Sequence, residues 1–125
     1  MNLIIYEDQK TALLEPFTLN HASFEIKVAV YSNLDRFIRF FNDYDICLIV
    51  RPELVEIVSE KFPQYQINPT TIKSGYCING SVVWNQKSHD RLLLNKLKDS
   101  ELSFYNSKDN ILLTDFYNLK YFKKS

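Results

Sequence analysis

Glycine is scarce in this chain: Gly75 and Gly80 are the only two among 125 residues. Neither sits in a GxG or GxxxxGK pattern. A self-sufficient phosphate-cradling loop, which needs backbone able to approach a ligand closely, is therefore missing. Cysteine is equally rare. Cys47 and Cys77 lie singly inside apolar runs, with no CxxC between them. Only His21 and His89 could add imidazole, so no zinc site is expected and no metal ligand set is identified. Two buried thiols in a reducing compartment are the expectation, and a disulfide would require their strands to be neighbours. No apolar run approaches the roughly 20 residues of a membrane span. Glu7 and Asp8 stand where a signal peptide would continue its apolar region, so a cytoplasmic location is expected, with no membrane partner. Lys plus Arg equals Asp plus Glu, at 15 each, and the cations are scattered. Nucleic acid thus finds no electrostatic footprint, and the Lys120, Lys123, Lys124 tail reads as a solvated terminus.

What the chain does have is apolar and aromatic mass. At 46% hydrophobic and 14% aromatic residues it can fill a core, and at this length that core belongs to a single domain, residues 1–125. Leu3-Ile4-Ile5-Tyr6 reads as a buried strand over Asn2–Tyr6. Phe24 to Tyr31 alternates, Phe24, Ile26, Val28 and Val30 against Glu25, Lys27, Ala29 and Tyr31, which predicts an extended segment. Ser32 caps a helix over Asn33–Phe41 whose Leu34, Phe37, Ile38 and Phe41 form one stripe. A second strand is expected at Asp45–Val50, and a helix at Pro52–Phe62 with Pro at its first turn and Pro63 at its end. This order points to a right-handed α/β crossover. Tyr76–Ile78 reads as a third strand closed by Asn79-Gly80, a pair that also fits a hairpin turn into Val82-Val83-Trp84. Ser88 is placed to cap a helix over His89–Leu97, with Leu92, Leu93, Leu94 and Leu97 on its apolar face. Leu102–Tyr105 and Ile111–Leu113 suggest a hairpin around Asn106–Asn110. The aromatic end, Phe116 to Phe122, is expected to dock on the domain or on a partner.

Several blocks occur in an order that carries a resemblance. They are Tyr6-Glu7-Asp8, Leu13-Leu14, Pro16-Phe17-Thr18, Phe24-Glu25-Ile26-Lys27, Lys61-Phe62-Pro63 and Ile78-Asn79-Gly80. Over residues 1 to 84 the chain resembles the divergent sugar nucleotidyltransferase family, whose members form the uridylyltransferase region of bifunctional proteins that make UDP-N-acetylglucosamine. The copy is truncated and degenerate. The resemblance implies an α/β fold: a Rossmann-like nucleotidyltransferase half-domain, three-layer, with a mostly parallel sheet. It also implies a nucleotide or sugar phosphate as ligand and Mg²⁺ as cofactor, although the residues themselves identify no cofactor. Family members continue well beyond this length, so the chain reads as a fragment or as a compact stand-alone domain, and its aromatic end favours the latter.

The departures fall on polar positions. The family's Thr-Arg-Pro is Asn20-His21-Ala22 here, and its Leu-Arg-x-Gly is Ile26-Lys27-Val28-Ala29. Nucleotidyl transfer gathers negative charge on oxygens, which Mg²⁺ and Arg or Lys must stabilise. His21 in place of Arg removes a permanent forked cation, while Lys27 keeps charge without the fork. The resemblance to the more familiar sugar nucleotidyltransferases implies that the place of their metal-binding Asp, after Asn79-Gly80, is taken by Ser81 here, so that carboxylate is absent. Glu7, Asp8 and Glu25 are the remaining carboxylates near the site, each expected to be solvated or capping. The ligand-binding candidates are Thr18, His21, Lys27, Arg51 and Asn79. Arg51 follows a strand end and opens a helix, where α/β proteins bind ligands. Asn79 reads either as a polar contact to a base or sugar or as the left-handed residue of a turn. Two functions follow. One is a sugar nucleotidyltransferase-like domain that binds a nucleotide or sugar phosphate without full catalytic machinery of its own. The alternative is a non-catalytic module that forms a homo-oligomer or binds a partner subunit through its aromatic C-terminus.

Overall fold

A computed structural model describes residues 1–7, 21–25, 27–28, 31–94 and 104–116. Four consecutive apolar residues make β1 (Asn2–Tyr6) a strand that can be buried on both faces, and it lies at the centre of the sheet. Two short strands, β2 (Lys27–Val28) and β3 (Tyr31–Ser32), pair antiparallel in a sheet of their own. Helix α1 (Asn33–Phe40) then leads to β4 (Asp45–Ile49), which runs parallel to β1 in the register Asn2 to Asp45 through Tyr6 to Ile49. A 3₁₀ turn at Pro52–Leu54 and α2 (Val55–Lys61) follow, then β5 (Gln66–Ile67), parallel to β4. On the other side of β1 lies β6 (Thr71–Asn79), also parallel to it, followed by α3 (Gln86–Leu93). The last described elements are β7 (Phe104–Leu112), antiparallel to β6, and the single turn α4 (Leu113–Phe116). The sheet order is β5-β4-β1-β6-β7. This is the mostly parallel α/β architecture that the sequence predicts.

Alternation along the strands divides the core into two. Leu3, Ile5, Leu48, Val50 and Ile78 face α1, α2 and α3 and pack with Leu34, Phe37, Phe41, Leu54, Val58, Trp84 and Leu92. Ile4, Tyr6, Cys47, Ile49 and Cys77 face the other way. They are covered by Ile72 and Ile111, from the curled ribbon of β6 and β7, and by Phe116 of α4, whose ring meets Tyr6 edge-on at 5.7 Å. Gly75 is needed for the β1–β6 approach, because a β-carbon there would collide with the backbone carbonyl of Asn2.

Several elements differ from expectation for local reasons. Residues Ser23–Glu25 form a 3₁₀ turn that buries Phe24, so the alternating run does not begin as a strand, and the main sheet does not include it. Ser32 caps α1 as expected, through a reciprocal capping box with Asp35. Helix α3 starts earlier than predicted. Asn85 is its cap and accepts from the Ser88 N–H at 2.9 Å, so Ser88 is the capped residue rather than the cap. Leu92 faces the core, but Leu93 and Leu94 are exposed and Leu97 lies outside the described residues. The residues read as a hairpin around Asn106–Asn110 form a single strand instead, paired with β6 on either side of an irregularity between Asn106 and Asn110. After Gly80 the chain turns and does not form a second hairpin strand, although Trp84 is fully buried. Cys47 and Cys77 pair with the same residue, Ile4, from opposite sides, so β1 separates their strands and both remain free thiols. The Tyr117–Phe122 cluster lies outside the described residues.

Candidate functional site

The parallel strands β1, β4 and β6 end at one edge of the sheet, and their exits carry Glu7, Arg51, Asn79 and Gly80. Ligands of open α/β sheets bind at this edge. The backbone continues the ladder there: Glu7 N–H donates to Ile49 O at 3.1 Å and Gly80 N–H to Tyr6 O at 2.8 Å.

Glu7 is the hub. It is fully buried, and its Oε1 accepts the Arg51 N–H at 3.0 Å while Oε2 accepts the Ser23 N–H at 3.1 Å. One carboxylate thus ties the exits of β1 and β4 to the 21–25 segment. The Arg51 guanidinium adds an ion pair at 3.8 Å. Burial raises the Glu7 carboxyl above its ordinary 4.5, opposed by the Arg51 N–H, the Arg51 charge and the Ser23 N–H. Of the two expectations for Glu7, solvated or capping, the first is corrected: it is closed to solvent, and it accepts backbone N–H groups that join three segments.

Arg51 is largely committed to the protein. Its Nη2 donates to His21 O at 3.1 Å and its Nε lies 3.6 Å from Glu53. His21 is held from both sides, because its ring Nδ1 lies 3.1 Å from Lys61 Nζ. That nitrogen also lies 3.7 Å from Glu25 Oε1. It cannot accept from Lys61 and donate to Glu25 at once. The shorter Lys61 contact fits acceptance by Nδ1, with the ring proton on Nε2. Glu25 is satisfied otherwise, by Lys61 Nζ at 2.8 Å and by the Ala22 N–H at 2.6 Å.

At the third exit Asn79 is almost fully buried, and its Oδ1 accepts the Ser81 N–H at 2.9 Å. It does not adopt the left-handed conformation. That belongs to Asn68, at φ 47°, whose amide makes two 2.8 Å hydrogen bonds to the Val50 backbone and so extends the ladder beyond β5. Next to this exit Asn33 is buried and donates to Gly80 O at 3.1 Å, leaving its Oδ1 without a partner; Ser23 Oγ is likewise unpartnered.

The structure thus brings His21, Arg51 and Asn79 to the same edge. Lys27 stands apart on β2 and is exposed, and Thr18 lies outside the described residues. Two features of the site were not legible in the sequence, the burial of Glu7 and the place of Lys61. Glu7 gave no signal of burial, since it follows a strand and precedes another acid. Lys61 was noted only within Lys61-Phe62-Pro63. The described residues do not fit Mg²⁺. Both Glu7 oxygens are engaged by backbone N–H groups, Ser81 offers no carboxylate, and no cluster of three potential ligands occurs among the described residues.

Comparison with known proteins agrees with the architecture. A family model described as sugar nucleotidyl transferase matches residues 3–119, and the chain belongs to that family. No curated protein and no solved structure matches it.

Proposed function

We propose that this chain is a ligand-binding domain of the sugar nucleotidyl transferase type that takes a nucleotide or sugar phosphate at the carboxyl edge of β1, β4 and β6, without completing catalysis alone. The observation that carries this reading is the gathering of His21, Arg51 and Lys61, with Arg51 and Asn79 at the exits of neighbouring parallel strands. Cations and polar groups at that edge match a phosphate and a base or sugar in kind. Catalysis needs more. The transition state of nucleotidyl transfer requires metal and free cations, and here Arg51 faces Glu7 and Glu53 while Lys61 faces Glu25. UDP-N-acetylglucosamine chemistry is the specific case the resemblance suggests. Calorimetric titration with UTP and with N-acetylglucosamine 1-phosphate, with and without Mg²⁺, tests the reading. Binding of at least one without turnover supports it. No binding of either removes the ligand reading, and turnover removes the claim of incomplete catalysis.

The second reading is a non-catalytic interaction module. The internal pairing of the site's cations favours it, as does the exposure of Leu93 and Leu94 at the end of α3. Light scattering on the full chain and on one ending after Phe116 separates the cases. The cut must follow Phe116, because that ring is buried against Tyr6. Two equally stable monomers would end the interaction reading.

A further inference from the structure

Glu25 is held in an unusual way for a carboxylate on a short turn. Its bond from the Ala22 N–H closes the local turn, and such a bond needs no partner from elsewhere. Yet Oε1 also takes an ammonium from a residue 36 positions away, Lys61, at 2.8 Å. That same ammonium reaches His21 Nδ1 at 3.1 Å, across 40 positions. Arg51 borders the group by gripping the His21 carbonyl at 3.1 Å. An ammonium and a backbone N–H therefore converge on one anionic centre with two acceptor oxygens, with an imidazole and a guanidinium beside them. A phosphate asks for the same set of donors. Lys61 is 32% exposed and Glu25 11%, so solvent reaches the ammonium while the carboxylate is mostly covered.

We propose that Glu25 is an intramolecular stand-in for a phosphate: its carboxylate occupies a cradle made by Lys61 and the Ala22 N–H, and a phosphate-bearing ligand binds there only by displacing it. The inference rests on the ligand reading above and deepens it, because it makes the site self-blocked. It also accounts for cations that are present yet paired. Removing the resident negative charge both frees Lys61 and ends like-charge repulsion with the incoming anion.

Glu25→Gln is the direct test, since the Gln carbonyl can still accept from Ala22 N–H and preserve the turn. Inorganic phosphate and UTP are titrated by calorimetry into the full wild-type chain, into E25Q and into E25Q/K61A, with thermal melts of each to verify folding. E25Q is expected to bind inorganic phosphate about tenfold more tightly than wild type, a difference well within the reach of one nearby charge. E25Q/K61A is expected to lose that gain. Glu25→Ala serves as a second variant, which removes the carboxamide in case Gln itself fills the cradle. Phosphate affinity unchanged in both E25Q and E25A, or a gain that survives K61A, overturns the proposal. If wild type and E25Q bind UTP equally well, the stand-in falls while the ligand reading stands. If E25Q gains phosphate but UTP binds no better than phosphate does, the stand-in stands and the nucleotide reading falls.

Discussion

The helix-covered face of the sheet and the carboxyl edge of the same strands are held by different chemistry. Beneath α1, α2 and α3 the contacts are apolar and crowded. Trp84 is fully buried between Phe37 and Phe41, with ring centroids at 5.5 and 5.7 Å. At the edge the contacts are charged and spaced by hydrogen bonds, with Glu7 reaching three segments at once. The first region keeps the family's frame by packing. The second keeps its loops in place by pairing charges, Arg51 with Glu7 and Glu53 and Lys61 with Glu25.

The largest expected effect lies in the packed region. Trp84→Ala should lower the unfolding free energy by about 3–5 kcal/mol, read from urea denaturation, because the cavity cannot close between two phenylalanines. Trp84→Phe should cost clearly less. It refills most of the volume and removes an indole N–H that has no partner.

At the edge, Glu7→Ala should cost about 3 kcal/mol in the same assay. It strands two backbone N–H groups and leaves Arg51, only 12% exposed, without its buried partner. A loss as small as a surface ion pair would mean the edge is not held by Glu7, and the contrast between the regions would weaken. Gly75→Ala tests the β1–β6 pairing at the opposite, amino end of the strands. The β-carbon meets Asn2 backbone, so β1 and β6 must part locally, at about 1–3 kcal/mol.

Glu7 also predicts a pH dependence. Its folded pKa is raised above 4.5, chiefly by burial. The native state therefore holds a proton that the unfolded chain releases. The stability that Glu7 contributes is fully present below 4.5 and is lost as pH rises through the folded pKa. The difference between wild type and Glu7→Gln, followed by urea midpoints from about pH 4 to about pH 8, should show that decline. A difference that grows with pH would reverse the sign and contradict burial as the dominant cause. The smallest effect belongs to Lys61→Ala. Its contacts are exposed, and the stability change should stay under about 1 kcal/mol.

The comparison also shows what a sequence displays. β1 and β4 were legible because four or five successive apolar residues admit few other readings, and their parallel pairing follows from the helix between them. α1 was legible through its stripe and its Ser32 cap. β7 was not, because Asn106-Ser107-Lys108-Asp109-Asn110 has the residues of a turn, and only pairing with β6 makes it a strand. Asn79 and Asn68 look alike in sequence, yet only Asn68 takes the left-handed conformation, because it must double back along Val50. Of the site, Arg51 and Asn79 could be placed from their positions after strands. Glu7 could not, since burial of a carboxylate depends on two N–H donors contributed by residues 16 and 44 positions away.

The carboxyl edge of β1, β4 and β6 is the proposed ligand edge. Amide chemical-shift mapping of the ¹⁵N-labelled chain during titration with UTP tests it most directly. The account predicts saturable shifts at residues 21–25, at Arg51 and at Asn79 to Ser81, with none at Asn2, Asp45 or Lys73, which line a cleft of about 200 Å³ at the opposite end of the strands. Saturable shifts confined to that cleft, or no shifts at all, would contradict it.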